Sequence, residues 1–340
     1  MSGWTEPVAV IGAGAWGTTL ARMIAQRGIP VRLWAVTDEL AAEIETHREN
    51  VSFLPGFKLP ETLSVSSDGA RVLDGTSAVV WVVPSQWLRE TARKLAPQVD
   101  TSVLQIVATK GIEHESGLRM SELLCEELSE EPQSLQAEFV ALSGPNLSRE
   151  IAEGHPALSV AASTSEERSR EAQRLLSSPQ FRVYRNPDII GVEMCGALKN
   201  VIAIGSGMSD GLGYGSNARA ALITRGLAEM QRLGVAVGGN AKTFAGIAGL
   251  GDLVTTCTSV LSRNYTTGMR LAQGETPEQI QATMRAVAEG VFTARAEIEL
   301  AAEHGVEVPV AEAVHAVLFE GLAPRDAAEM LMTRGLRAEF

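Results

Sequence analysis

Apolar residues fall in short unbroken runs through the first half of the chain and at helical spacing through the second. Val8-Ala9-Val10-Ile11 is the first such run and Val31-Arg32-Leu33-Trp34 the second. Others follow at 78–83, 103–108 and 139–142, with shorter ones at 158–162 and 181–184. A strand that is apolar at nearly every position needs cover on both faces. Helical stretches between such strands predict an α/β fold, a mostly parallel sheet doubly wound by helices. After Asn186-Pro187-Asp188 the pattern changes. One long helix is expected over 189–211, with more near 218–233, 263–273, 277–284, 292–304, 310–318 and 325–334, and no strand. The reading is therefore a sheet domain over 1–187 and an all-helical C-terminal domain over 188–340.

Three polar or glycine-rich segments interrupt these patterns. Gly12-Ala13-Gly14-Ala15-Trp16-Gly17 joins the first strand to a helix, which is G-x-G-x-x-G in the context a dinucleotide site requires. Gly12 permits a tight turn, Gly14 lets the backbone approach a pyrophosphate, and Gly17 lets the helix pack on the strand. The helix start then offers free N–H groups and a favourable dipole to the anion. On the long helix, Gly196, Lys199 and Asn200 are spaced i, i+3, i+4 and share one face. A lysine there is either an acid–base group tuned by burial or a side chain that reaches back to solvent. Farther on, Gly246-Ile247-Ala248-Gly249-Leu250-Gly251-Asp252-Leu253 reads as a glycine-rich loop whose N–H groups could meet an anion. Ser262-Arg263-Asn264 adds a hydroxyl, a guanidinium and an amide, the groups a phosphorylated small molecule needs.

Charge narrows the partners. With 29 basic and 41 acidic side chains the net charge is −12, which argues against nucleic acid or an anionic membrane. An anionic substrate must then find local cations. No apolar run is expected to span a bilayer and no signal peptide is recognisable, so a cytoplasmic protein without integral membrane contact is expected. Cys125, Cys195 and Cys257 are far apart and odd in number, and the five histidines show no ligand spacing, so no metal is expected.

Ordered motifs join these pieces: Leu54-Pro55-Gly56 with Leu59-Pro60, Val83-Pro84-Ser85, Thr109-Lys110-Gly111, Ser143-Gly144-Pro145, Gly196-Ala197-Leu198-Lys199-Asn200, Ala248 to Leu253 with Ser262-Arg263-Asn264, and Ala288-Glu289-Gly290. In these the whole chain resembles the bacterial-type NAD(P)-dependent glycerol-3-phosphate dehydrogenases. The resemblance implies a Rossmann-type domain, an NADPH or NADH cofactor, and interconversion of dihydroxyacetone phosphate and sn-glycerol 3-phosphate for phospholipid synthesis. It implies Lys199 as general acid–base. Lys110, Gly144, Asp252, Ser262, Arg263 and Asn264 would hold the substrate with it. Gly12, Gly14, Ala15, Trp16, Gly17, Val36, Phe53, Lys110, Ser148, Arg263, Val287 and Glu289 would meet the cofactor, with Gly144 also matching a cofactor contact. Phe53 and Trp16 would wall the site.

The chain departs from the family pattern at Ala15, where serine is frequent, at Val36, where histidine or arginine is, and at Asn146 and Ser148. No acid directly ends the second strand, and Asp38 is the nearest. An acid there would repel a 2′-phosphate, so NADP is expected to be preferred, with Arg32 and Arg263 as candidate cations. A dehydrogenase for another small hydroxy acid and a non-catalytic nucleotide sensor are the alternatives, and a homodimer is compatible with the resemblance.

Overall fold

The computed structural model describes residues 4–284, 287–336 and 338. The chain divides into two compact units. One comprises Met1–Lys110 and Leu118–Glu193, the other Gly111–Gly117 and Met194–Phe340. The division thus falls inside the helix Ile189–Gly211, five residues into it.

The first unit is built on eight strands: β1 Val8–Ile11, β2 Val31–Trp34, β3 Leu63–Ser66, β4 Ala78–Trp81, β5 Leu104–Val107, β6 Phe139–Ser143, β7 Ala157–Ala162 and β8 Phe181–Asn186. Their order is β3-β2-β1-β4-β5-β6-β7-β8. All neighbours are parallel except β6 and β7. β1, β4 and β6 are buried at every position, as their unbroken apolar sequences demand. The sequence reading lacked β3. Leu63 and Val65 alternate with Ser64 and Ser66, and only the leucine and valine are buried, as befits a short edge strand covered on one face. Because β1 lies between β2 and β4, the strand order reverses at its carboxyl end, the place where such sheets bind ligands.

No strand occurs among the described residues of the second unit. Its long helix, Ile189–Gly211, corrects one expectation. Its length of 23 residues and mean hydropathy of 1.4 would suffice to cross a membrane, yet 94% of that apolar window is buried inside the protein. It is apolar on all sides because other helices surround it. Helix Arg263–Ala272 meets it backbone to backbone. A Cβ on Gly207 would lie 2.0 Å from the Tyr265 carbonyl, and one on Gly268 would lie 2.0 Å from the Ile204 carbonyl. These reciprocal glycines bring Ser262-Arg263-Asn264 toward the Lys199 stretch.

A second correction concerns Gly246 to Leu253. It is not an open loop. Ile247–Gly251 forms a π-helical turn that runs directly into helix Asp252–Thr258. Gly249 is required by packing, since a Cβ there would lie 2.0 Å from the Phe244 carbonyl. The wide turn is a form often found at functional sites, and here it delivers Asp252 into the helix that follows.

Candidate active site

The first unit supplies an anion cradle. Gly12 leaves β1 with φ +119°, and a Cβ there would strike the Val82 carbonyl at 2.8 Å. A Cβ on Gly17 would lie 1.9 Å from the Gly12 carbonyl, so helix and strand touch at that point. Gly14 is different: nothing lies within 4 Å of where its Cβ would be. It is the N-cap of helix Ala15–Ala25, with no side chain capping the first turn. Open space in front of uncapped N–H groups fits a dinucleotide pyrophosphate. Ala15, Trp16 and Gly17 make that first turn. The Trp16 ring is half-buried. It packs on Phe181 with centroids 6.3 Å apart and its Nε1 is buried without a partner. Trp16 can therefore serve an anion through its backbone N–H only.

At the end of β2 the structure places Val36, 64% exposed. Asp38, the nearest acid, is engaged by the Ser67 hydroxyl. Arg32 must be corrected as a candidate cation for a 2′-phosphate. It sits two residues before the end of the strand, and its guanidinium donates to the carbonyls of Arg71 and Asp74. Phe53 lies in the turn after helix Asp38–His47, half-buried. Farther along the sheet, Lys110 Nζ donates to the Gly144 carbonyl at 2.9 Å, uniting the segments that follow β5 and β6. Gly144 has φ +154° and no room for a Cβ, which would lie 2.8 Å from the Leu158 carbonyl. Asn146 has a structural use here. Its Nδ2 donates to the Leu158 carbonyl, and its Oδ1 accepts from Ser159. Ser148 opens helix Ser148–Ala152, and its carbonyl accepts from Thr19 at 3.3 Å.

The second unit holds the titratable centre. Lys199 is 6% exposed, which removes the solvent-reaching alternative. Its Nζ donates to Asp252 Oδ1 at 2.8 Å and to Thr256 Oγ1 at 2.7 Å. An ammonium has three N–H donors, so one remains beyond these two bonds. Asp252 is itself 2% exposed, so the pair is charge-balanced and desolvated together. Thr256 was missed by sequence reasoning. The spacing Asp252-x-x-x-Thr256 at i, i+4 on a helix was the available signal.

Beside this pair runs an amide chain. Asn200 Nδ2 donates to the Gly196 carbonyl at 3.2 Å, Asn264 Nδ2 to Asn200 Oδ1 at 2.8 Å, and the Gly290 N–H to Asn264 Oδ1 at 2.9 Å. Each side chain is buried, and each amide is thereby fixed in orientation. Ser262 caps helix Arg263–Ala272 by accepting from the Tyr265 N–H. Arg263 opens that helix and reaches solvent, but the atoms crowding it lower its pKa, opposed by the charge of Glu289. Glu289 is the first residue of helix Glu289–Glu303, two residues after the half-buried Val287. Thus Lys199, Asn200, Asp252, Ser262, Arg263, Asn264 and Glu289 are gathered in one unit. Burial pushes the thiols of Cys125 and Cys257 up to about 12, so neither is a nucleophile at neutral pH.

A dinucleotide cradle on a doubly wound sheet, with a buried lysine–aspartate pair on a helical unit, defines the class: a nicotinamide-dependent dehydrogenase. Within it the chain belongs to the NAD-dependent glycerol-3-phosphate dehydrogenase family. Residues 7–169 match that family's N-terminal part and residues 188–329 its C-terminal part. It is 49% identical over 334 residues to the glycerol-3-phosphate dehydrogenase (NAD(P)+) of Citrifermentans bemidjiense, covering 98% of this chain and 99% of that one. The protein of that name from Pelotomaculum thermopropionicum is 46% identical, covering 98% and 95%. The crystal structure of glycerol-3-phosphate dehydrogenase from Coxiella burnetii is similar with a TM-score of 0.91 and 38% identity, covering 97% and 99%.

Proposed function

We propose that this chain reduces dihydroxyacetone phosphate to sn-glycerol 3-phosphate with NAD(P)H, and runs the reverse oxidation, supplying glycerol phosphate for phospholipid synthesis. The observation that carries the reading is the buried Lys199–Asp252 pair, because a carbonyl becoming an alkoxide needs a proton held where water is excluded. The nicotinamide, when bound, supplies or accepts the hydride.

The chain's own groups do the rest. Asp252 and Thr256 fix Lys199 Nζ by two hydrogen bonds, leaving one N–H of the ammonium to give its proton to the substrate oxygen. In the oxidation the neutral amine takes that proton back, and Asp252 stabilises the ammonium formed. Arg263, the Asn264 amide and the first-turn N–H groups of helix Arg263–Ala272 bind the phosphate. The uncapped start of helix Ala15–Ala25 binds the cofactor pyrophosphate. Lys110, held by the Gly144 carbonyl, presents a positive charge at the sheet's carboxyl edge for the developing alkoxide. Three buried cysteines outside any disulfide suit a reducing compartment, which supports a cytoplasmic location.

The test is oxidation of NADPH and NADH by purified protein with dihydroxyacetone phosphate, beside a panel of unphosphorylated keto acids. Turnover dependent on dihydroxyacetone phosphate is expected. Turnover with a keto acid alone, or with none, would overturn the reading.

A further inference from the structure

The glycine fingerprint has a brace outside itself. Asn50 is fully buried, although it is a polar residue at the entry to a turn. Its Nδ2 donates at 2.8 Å to the Ala13 carbonyl, inside the fingerprint, and at 2.8 Å to Thr18 Oγ1 in the helix that follows. Its Oδ1 accepts from the Phe53 N–H at 3.0 Å, and its own carbonyl accepts from the Leu54 N–H at 2.8 Å. One side chain therefore joins three things: the loop, the helix start and the turn that carries Phe53. Among the described residues, no other side chain hydrogen-bonds the backbone of Gly12 to Gly14.

The brace is itself anchored. Helix Asp38–His47 ends at Arg48, the only non-glycine residue among those described with a left-handed backbone, φ 48°. The Arg48 guanidinium secures that turn on the carbonyls of Pro60 and Leu63. An antiparallel bridge between Glu49 and Lys58 closes the base of the segment, and Glu49 accepts from the Gly56 N–H at 2.8 Å. Asn50 thus enters from a fixed platform and bonds a loop that contains two glycines and has no side chain of its own to order it. A glycine-rich loop left unbraced loses more entropy on meeting a ligand.

We infer that Asn50 is a positioning residue for the cofactor. It presets the Gly12–Gly14 backbone and the Phe53 turn in the geometry that receives the dinucleotide, so that binding costs little further ordering. This rests on the reading that the fingerprint holds the cofactor. Asparagine suits the task because it offers two donors and an acceptor at once. Aspartate has the same shape and could still accept from the Thr18 hydroxyl, but it would face the Ala13 carbonyl with an acceptor.

The experiment is direct NADPH binding, followed by quenching of tryptophan fluorescence, together with steady-state kinetics and melting temperature. Wild type must bind, and failure to do so would refute the cofactor reading rather than this inference. Asn50→Asp is expected to raise the NADPH dissociation constant about 10-fold or more, the effect of losing the donor to the buried Ala13 carbonyl and setting a carboxylate against it. The KM for dihydroxyacetone phosphate and kcat at saturating NADPH should stay within about twofold, since the second unit's proton chemistry is untouched. Should Asn50→Asp fail to fold, the Thr18 pair decides. Thr18→Val removes one leg of the brace and should weaken NADPH binding by about 3-fold or more, while Thr18→Ser keeps the hydroxyl and should restore it. A merely structural asparagine would lower the melting temperature and leave the dissociation constant where it was. That result in Asn50→Asp, or Thr18→Val and Thr18→Ser binding alike, overturns the inference.

Discussion

Replacement of Glu297 by glutamine should make the helical unit less sensitive to pH. Glu297 lies on helix Glu289–Glu303 with no exposed surface, and neither carboxyl oxygen has a hydrogen-bond partner. Burial raises its pKa well above the carboxylate range, and the Glu229 charge raises it further. Glu229, from helix Ser216–Ala236, is also buried and is pushed up to about 7 by desolvation. The N–H groups of Val310 and Ala311, at 2.9 and 2.8 Å, pull it back down, as does Arg232, while Glu312 adds to the rise. The rest follows from linkage. An unfolded glutamate titrates near ~4.3, so above that pH the unfolded chain releases a proton that folded Glu297 keeps. Stability is then greatest below the unfolded pKa and is lost as pH rises toward the folded one. The loss is ~1.4 kcal/mol for each pH unit over which the unfolded glutamate is ionised and folded Glu297 is not. Glutamine does not titrate. The stability of Glu297→Gln relative to wild type should therefore improve as pH rises from about 5 to about 8. Hydrogen exchange of the amides of helices Glu289–Glu303 and Pro309–Phe319, measured in both proteins at both pH values and corrected for intrinsic rates, reads this locally. A difference between the two proteins that is the same at pH 5 and pH 8 would refute the reasoning, because it would mean that folded Glu297 ionises normally.

Other expectations concern the site. Lys199→Ala should lower kcat at least ~100-fold with NADPH binding nearly unchanged, and near-normal turnover would remove Lys199 as the acid–base group. Arg263→Ala should raise the KM for dihydroxyacetone phosphate by about 10- to 150-fold, the worth of a charged hydrogen bond, but not that for unphosphorylated dihydroxyacetone. Equal losses on both substrates would assign Arg263 to the cofactor or the fold. With Asp38 engaged by Ser67 and Val36 exposed at the end of β2, NADPH should be accepted and preferred. Val36→Asp should shift the ratio of dissociation constants toward NADH through repulsion of the 2′-phosphate, and an unmoved ratio would contradict this.

The sequence by itself determined the class of fold and the chemistry on offer. Unbroken apolar runs such as Val8 to Ile11 can only be strands covered on both faces, and Gly12, Gly14 and Gly17 after such a run can make few turns other than the one observed. Lys199 and Asn200 were visible as unusual residues on an apolar helix. Local patterns reveal these because strand, turn and helix are set by neighbours in sequence. β3 escaped because four residues that alternate with serine carry little signal. The segment Gly246 to Gly251 read as a loop because glycine disfavours helices, yet the close approach of Gly249 to the Phe244 carbonyl imposes a π-helical turn. Arg32 looked free until the carbonyls of Arg71 and Asp74 took its guanidinium. The pairing of Lys199 with Asp252, 53 positions away, and the bracing of Ala13 by Asn50, 37 positions away, were decided only by the tertiary structure. A side chain's type shows which bonds it can make, but packing brings its partner within 3 Å and excludes the water that would otherwise take that partner's place.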